Sequence, residues 1–201
     1  MLAIAGGKGG VGKTTTALGV GVALAARRRN PVVVDADRDT PNLHLVADVD
    51  DGGIEALADG VSIDDASTVS RGYEGIRIIG SYAGGPVGRA LRQLVTDSPV
   101  VVDTPAGGSR DAILPLRLAD HAIVVTTPDP ASVEDARKTA RIARRVDTEV
   151  VAWIVNRSST VPETLRGSVG DVPVIPVPAS PDPPTDARRA YDDAVSGWVN
   201  A

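Results

Sequence analysis

Cysteine does not occur in these 201 residues. Its absence excludes disulfides, thiolate metal sites and iron–sulfur clusters in one step. Phenylalanine is missing as well and aromatics reach only 2%, so a core has to be filled by Val, Ile, Leu and Ala. Lysine is scarce: three Lys stand beside 18 Arg, and five Glu beside 21 Asp. A GC-rich genome and adaptation to high salt would both leave that skew. No apolar run approaches the roughly 18 residues of a membrane span, and no charged-then-apolar leader opens the chain. The expectation is a cytoplasmic protein. A net charge of −5 argues against a globally basic nucleic-acid binder but leaves room for a local basic patch. The histidines, His44 and His121, stand alone without metal-ligand spacing and read as structural.

What is present suffices for one ordinary domain, 1–201, with 42% hydrophobic residues and no linker, repeat or low-complexity tail. Two of the three lysines fall in Gly7-Lys8-Gly9-Gly10-Val11-Gly12-Lys13-Thr14-Thr15. This stretch has P-loop spacing and adds a second lysine, Lys8, inside the loop. It lies between an apolar run at 1–5 and a segment with helical spacing (Leu18, Gly21, Val22, Ala25), the strand–loop–helix context that the motif needs. Glycines let backbone approach a phosphate closely, and successive N–H groups with the positive helix end form an anion cradle. Gly9, Gly10, Val11, Gly12, Lys13, Thr14 and Thr15 are the expected cradle, with Lys13 on the β- and γ-phosphates and the Thr14 hydroxyl on Mg²⁺. The plain alternative is a glycine-rich turn that binds nothing. Spacing and context together point to a nucleoside triphosphate.

Short β-branched runs at 2–5, 32–34, 76–79, 100–102, 122–126, 150–155 and 172–177 alternate with helical patterns at about 14–28, 53–59, 86–96, 110–119, 131–145 and 184–199. Most of the runs are continuously apolar, as expected for strands buried on both faces. The pattern predicts an α/β fold with a doubly wound, mostly parallel sheet and helices on both faces. Segment 43–75 carries weak patterns and leaves its layout open.

In such sheets ligands bind beyond the carboxyl ends of the strands. Run 32–34 ends in Asp35-Ala36-Asp37, then Arg38-Asp39-Thr40-Pro41-Asn42, and run 100–102 ends in Asp103-Thr104-Pro105-Ala106-Gly107-Gly108. An Asp after an apolar run downstream of a P-loop is the pattern that holds Mg²⁺. Asp35 and Asp103 are the candidates, and Gly107 can present a backbone N–H to a γ-phosphate. Two acids spaced i, i+2 can divide their work, one towards metal and one, Asp37, towards an attacking water. The same acids could instead cap turns, and Asp39 or Asn42 could orient the water. Run 150–155 ends in Asn156-Arg157; Asn suits the edge of a purine, and suits a turn equally well.

Lys8-Gly9-Gly10-Val11-Gly12-Lys13-Thr14-Thr15 with Asp35-x-Asp37 and Asp103-Thr104-Pro105-Ala106-Gly107 resembles the ParA/MinD family of deviant Walker A P-loop ATPases. The match runs in order over nearly the whole chain and ends with Asn156 and the Pro-rich loop 176–184. The resemblance implies an ATP-dependent homodimer that sandwiches two nucleotides. Lys8 would cross to the partner's phosphates, much as an arginine finger does. It also implies Asp37 positioning the hydrolytic water, Asp35 and Asp103 near Mg²⁺, Asn156 on the adenine, Asn42 in the switch loop, and a protein activator of hydrolysis.

Some features depart from the family pattern. Cluster-carrying members depend on cysteines that this chain lacks, and the chain is shorter than most members, so a partner-binding element is expected to be missing. MinD proteins usually end in an amphipathic membrane helix. Here Ala187, Ala190, Tyr191, Ala194, Val195, Trp198 and Val199 form a stripe of mostly small residues opposite Arg188, Arg189, Asp192 and Asp193. Such a stripe reads as packed on the parent core, and no C-terminal membrane-targeting helix is evident. Arg137, Lys138, Arg141, Arg144 and Arg145 share one face of the helix at 131–145. Non-specific DNA binding through that face is less favoured than a solvated face with a Glu134–Lys138 pair. Arg27-Arg28-Arg29 reads as the cationic end of the first helix. Three function classes follow: a dimerising ATPase that positions cargo, an ATP-dependent enzyme of small molecules (synthetase-like), and a metal- or cluster-delivering ATPase, which the lack of cysteine disfavours.

Overall fold

The computed structural model describes residues 1–167 and 169–199. In chain order the elements are β1 (Leu2–Ala5), α1 (Lys13–Ala26), β2 (Val32–Asp35), α2 (Leu43–Ala47), α3 (Ile54–Ala58), α4 (Ile63–Ala66), β3 (Thr68–Val69), β4 (Arg77–Ile79), α5 (Val87–Arg92), β5 (Val100–Asp103), α6 (Arg110–Leu118), β6 (His121–Thr126), α7 (Pro130–Arg145), β7 (Glu149–Asn156), β8 (Val174–Val177), α8 (Pro183–Asp186) and α9 (Arg188–Val199). The strands form one eight-stranded sheet ordered β3-β4-β2-β5-β1-β6-β7-β8. Every pairing is parallel except that of β3 with β4. The doubly wound expectation holds.

The unbroken apolar runs have a direct cause, because successive side chains leave a strand on opposite faces and both faces are covered. Leu2, Ile4, Val33 and Val101 join α1 and α9 in one cluster on one face. Ala3 and Ala5 pack with α7 on the other face, and Val32, Val34, Val100 and Val102 pack there with α3 and α5. From β1 the chain crosses to β2 on one side, and from β5 it returns past β1 to β6 on the other. The strand order therefore reverses beside β1, where the P-loop begins.

Several boundaries differ from those expected. The open segment 43–75 holds three short helices and the antiparallel edge strand β3, too short to leave an alternating signature. The helix expected at 86–96 stops at Arg92, and the one at 184–199 breaks at Ala187 into α8 and α9. The expected Glu134–Lys138 pair does not form; Glu134 pairs with Arg137 and Arg141, and Lys138 with Asp135. Three of the five basic residues on that face are thus already met by acids of their own helix. Among the described residues, no helix is long and apolar enough to cross a membrane.

The stripe on α9 faces the core. Tyr191, Ala194 and Val195 are buried in the α1 cluster, with Ala187, Ala190 and Trp198 packed against it; the Val199 side chain lies outside the described residues. Asp192, expected on the solvent face, instead holds Arg27 at 2.6 Å and so ties α9 to the end of α1. The two helices come close because Gly19 has no side chain: a Cβ there would stand 2.1 Å from Tyr191 Cε2. Gly19→Ala is therefore expected to lower the unfolding free energy by about 1–3 kcal/mol in a urea titration, although Ala gains up to about 1 kcal/mol over Gly in a helix interior. A stabilised variant would show that the ring can move aside.

Candidate functional site

The loop between β1 and α1 turns through left-handed conformations at Gly10 (φ 74°) and Gly12 (φ 92°), which side chains rarely adopt. Gly12 is also tightly enclosed, because a Cβ would lie 2.5 Å from Asn156 Nδ2. Side chains engage the loop's carbonyls. Lys13 Nζ donates to Lys8 O at 3.4 Å, Arg157 to Gly10 O at 3.0 Å, and Asn156 Nδ2 to Val11 O at 2.9 Å and Gly12 O at 3.2 Å. None of the N–H groups from Gly7 to Gly12 makes a close, well-aligned hydrogen bond to a described residue. With its carbonyls engaged and its donors unused, the loop has the polarity of an anion cradle. The helix α1, starting at Lys13, adds its positive end.

Lys13 is 9% exposed. Burial lowers its pKa, and the carboxylates of Asp103 and Asp37 act against that. Asp35 and Asp103 end adjacent strands in register and are both buried. Asp35 accepts from Asp37 N at 3.0 Å and from Asn42 N and Leu43 N at 3.1 Å each, so it folds the loop after β2. Burial nevertheless pushes its carboxyl up to about 6. Burial likewise pushes Asp103 up to about 7, and the neighbouring Asp35 adds to the rise. Oδ1 of Asp103 is buried without a partner among the described residues. The Thr14 hydroxyl donates to Asn42 Oδ1 at 3.0 Å.

Two desolvated carboxylates beside a hydroxyl, one oxygen orphaned, fit a hard cation such as Mg²⁺. Among the described residues no group of three or more His, Cys, Asp or Glu could hold a metal unaided. That also fits Mg²⁺, which is usually held by one or two carboxylates together with phosphates and water.

The other expected site residues lie around this centre with contacts of their own. Both oxygens of Asp37 are engaged inside its loop, Oδ1 by Asp39 N at 3.1 Å and Thr40 N at 3.0 Å, Oδ2 by the Thr40 hydroxyl at 3.3 Å. The Gly107 N–H donates to Gly6 O at 3.3 Å. Gly9 is exposed, while Thr15 borders a cavity of about 170 Å³ shared with Val11, Asn156, Arg157, Pro178 and Ser180. Asn156 is 5% exposed and its N–H donors are engaged beneath the loop, so only Oδ1 is left to meet a base. A larger cleft of about 650 Å³ lies away from this site, near Arg29, Arg92, Pro99 and Trp198, and contains none of these groups.

Lys8 turns away from the buried acids and pairs with Asp129 Oδ2 at 3.3 Å. Asp129 was not singled out from the sequence. Its place before Pro130 marks it as the N-cap of α7, where Oδ1 accepts from Ala131 N at 2.9 Å. The pairing with Lys8 joins residues 121 apart and leaves no local signal. Arg157, held in a left-handed conformation (φ 58°), was likewise without an assigned role.

The buried acids make a pH prediction. A carboxyl raised from 3.8 in the unfolded chain to about 7 in the fold destabilises progressively as pH climbs between those values. Asp103→Asn is expected to raise the melting temperature of the ligand-free protein by about 4–8 °C at pH 8, corresponding to about 2 kcal/mol. The gap should close by pH 4. A variant less stable than the parent at pH 8 would refute this reading of the acid pair.

Comparison with known proteins agrees with this geometry. The model of the CobQ/CobB/MinD/ParA nucleotide binding domain matches residues 2–171. The chain is 32% identical over 199 residues to an uncharacterized ATP-binding protein of Methanocaldococcus jannaschii, covering 88% of this chain and 72% of that protein. It is 31% identical over 173 residues to the septum site-determining protein MinD of Synechocystis, covering 78% of this chain and 64% of that one, a little under two thirds of its length. Among solved structures it superposes on MinD of Pyrococcus horikoshii complexed with Mg-ADP with a TM-score of 0.76 at 26% identity, covering 96% of this chain and 85% of that one. Through a family model that spans most of its length, the chain belongs to the CobQ/CobB/MinD/ParA nucleotide-binding family.

Proposed function

We propose that the chain is an Mg²⁺-dependent ATPase of the MinD/ParA type, a switch that dimerises on ATP and positions cellular cargo. The observation that carries this reading is the division of labour between the loop's two lysines. Lys13 is buried next to the acids, whereas the Lys8 side chain is 43% exposed and lies with Asp129 on the outer side of the loop. An exposed ammonium adjoining a phosphate cradle is suited to a second molecule's nucleotide.

In this reading the unused N–H groups of the loop and Lys13 bind the phosphates. Thr14, Asp35 and Asp103 would hold Mg²⁺, which supplies charge neutralisation on phosphate oxygens. Asp37 orients water once its contacts to Asp39 and Thr40 are released, and the cavity beside Asn156 receives the adenine. The loop from Asp35 to Leu43 hangs on Asp35 and Asn42, so a change at Asp35 or at Thr14 reaches α2. That is the build of a γ-phosphate-ordered switch. A protein activator and a surface, DNA or membrane, complete the proposed cycle.

Lys13→Ala should remove ATP binding in a calorimetric titration while the chain stays folded, and unchanged affinity would sink the assignment. Lys8→Ala should bind ATP yet neither dimerise on a sizing column nor turn over; a monomer that hydrolyses normally would favour the small-molecule enzyme instead. Asp37→Ala should bind ATP, lack turnover and accumulate as a dimer. Full turnover there, with loss in Asn42→Ala, would move the water-orienting role.

A further inference from the structure

Two consecutive residues at the end of β7 grip three consecutive carbonyls of the phosphate loop. Asn156 Nδ2 donates to Val11 O at 2.9 Å and to Gly12 O at 3.2 Å, and the Arg157 guanidinium donates to Gly10 O at 3.0 Å. In a planar trans peptide the C=O of one residue and the N–H of the next point in opposite directions. Donors on the carbonyls of residues 10, 11 and 12 therefore aim the N–H groups of Val11, Gly12 and Lys13 to the other side, where an anion would lie. Packing does not fix the tip of the loop. Gly10 is exposed, turns through φ 74°, and would meet nothing within 4 Å if it carried a Cβ. Its carbonyl is held by Arg157. Neighbouring side chains leave an extended strand on opposite faces, so an extended Arg157 would point away from the loop that Asn156 grips. The chain instead turns left-handed at Arg157, with φ 58°, a conformation that an arginine adopts against steric resistance. Strain of this kind persists where the surrounding structure imposes it, and it clusters at functional sites. Arg77, Arg89 and Arg141 meet carboxylates, whereas Arg157 gives its guanidinium to a backbone carbonyl.

We propose that Arg157 is a positioning residue for phosphate binding, which acts through Gly10 O to hold the peptide between Gly10 and Val11 with its N–H facing the phosphates before nucleotide arrives. The proposal rests on the phosphate loop being the nucleotide site. A guanidinium suits the task, because its planar fork loses little freedom per bond formed and has donors left once Gly10 O is satisfied. Arg157 also borders the cavity of about 170 Å³ together with Val11, Gly12, Thr15 and Asn156. The clamp thus adjoins both the phosphate cradle and the space assigned to the adenine. A loop ordered in advance does not have to be ordered at the moment of binding, so loss of the clamp appears as weaker affinity.

Arg157→Ala removes the clamp. In the nucleotide-free protein the backbone order parameters of Gly10 and Val11, measured by ¹⁵N relaxation, should fall from about 0.85 to about 0.6. MgATP affinity by calorimetry should fall about 3–10-fold. The ratio to the parent should persist at about 0.5 M salt, where exposed charges are largely screened. Arg157→Lys keeps one donor for Gly10 O and should bind within about 2-fold of the parent. Arg157→Gly separates the clamp from the fold, since glycine accepts the left-handed conformation without strain. It should melt about 2–4 °C above Arg157→Ala while losing the same affinity. A residue that merely supports the fold would make affinity follow stability. Unchanged order parameters in a folded Arg157→Ala would overturn the proposal. So would a loss of affinity that disappears in salt, no restoration by Arg157→Lys, or an affinity that recovers with stability in Arg157→Gly. Were Arg157→Ala to unfold, the contrast between Arg157→Gly and Arg157→Lys decides it. A parent that binds no MgATP would remove the nucleotide reading, while the order parameters would still decide whether Arg157 fixes the loop.

Discussion

The structure turns on how the loop between β1 and α1 disposes of its carbonyl groups. A peptide chain that offers its N–H groups to an anion must point carbonyls inward, and inward carbonyls need donors. Here Lys13 supplies a local donor for Lys8 O, and the others arrive from distant parts of the chain: Arg157 for Gly10 O, Asn156 for Val11 O and Gly12 O, and the Gly107 N–H for Gly6 O. Each of these distant donors requires a particular strand to end at a particular height. Asn156 closes β7 and Gly107 follows β5, on opposite sides of β1 in the sheet order. The parallel sheet therefore serves the loop directly, since only parallel strands bring so many carboxyl ends to one edge.

The acid pair shows the opposite economy. Asp35 and Asp103 sit side by side in register where burial raises both carboxyls, and Asp103 keeps an unpartnered oxygen. Replacing a buried charge by a neutral isostere is commonly neutral or stabilising. The fold thus tolerates an unfavourable pair at the one edge where a cation and phosphates would relieve it. Local inconsistencies of this kind concentrate at functional sites.

What was legible in the sequence follows from the range of the interactions. The strand runs and most helices could be read because burial on both faces leaves continuous Val/Ile/Leu/Ala stretches, and the P-loop because its glycines are demanded by local backbone geometry at Gly10 and Gly12. The segment 43–75 could not, since helices of four or five residues and a two-residue strand carry too few positions to show a period. Partners were the other blind spot. Asn156 gave either a base contact or a turn from sequence, but its donors engage carbonyls 144 and 145 residues earlier in the chain. The pairings of Lys8 with Asp129 and of Arg27 with Asp192 span similar separations. A residue type states what a side chain can bond, and only the fold states which partner is in reach.

The composition itself acquires a physical meaning once the partners are known. This chain uses arginine almost everywhere it needs a cation, and surface arginines here meet carboxylates, as Arg77 does Asp64, Arg89 does Asp59 and Arg141 does Glu134. A planar guanidinium suits such pairs. Inside the loop the requirement differs: Lys13 must thread a narrow buried space, bond a backbone carbonyl and still face two acids. A compact ammonium on a flexible stem meets that requirement and a rigid fork does not. In a chain with three lysines, two of them five residues apart in a single loop with one bonding the other's carbonyl, lysine has been kept where its shape rather than its charge is needed.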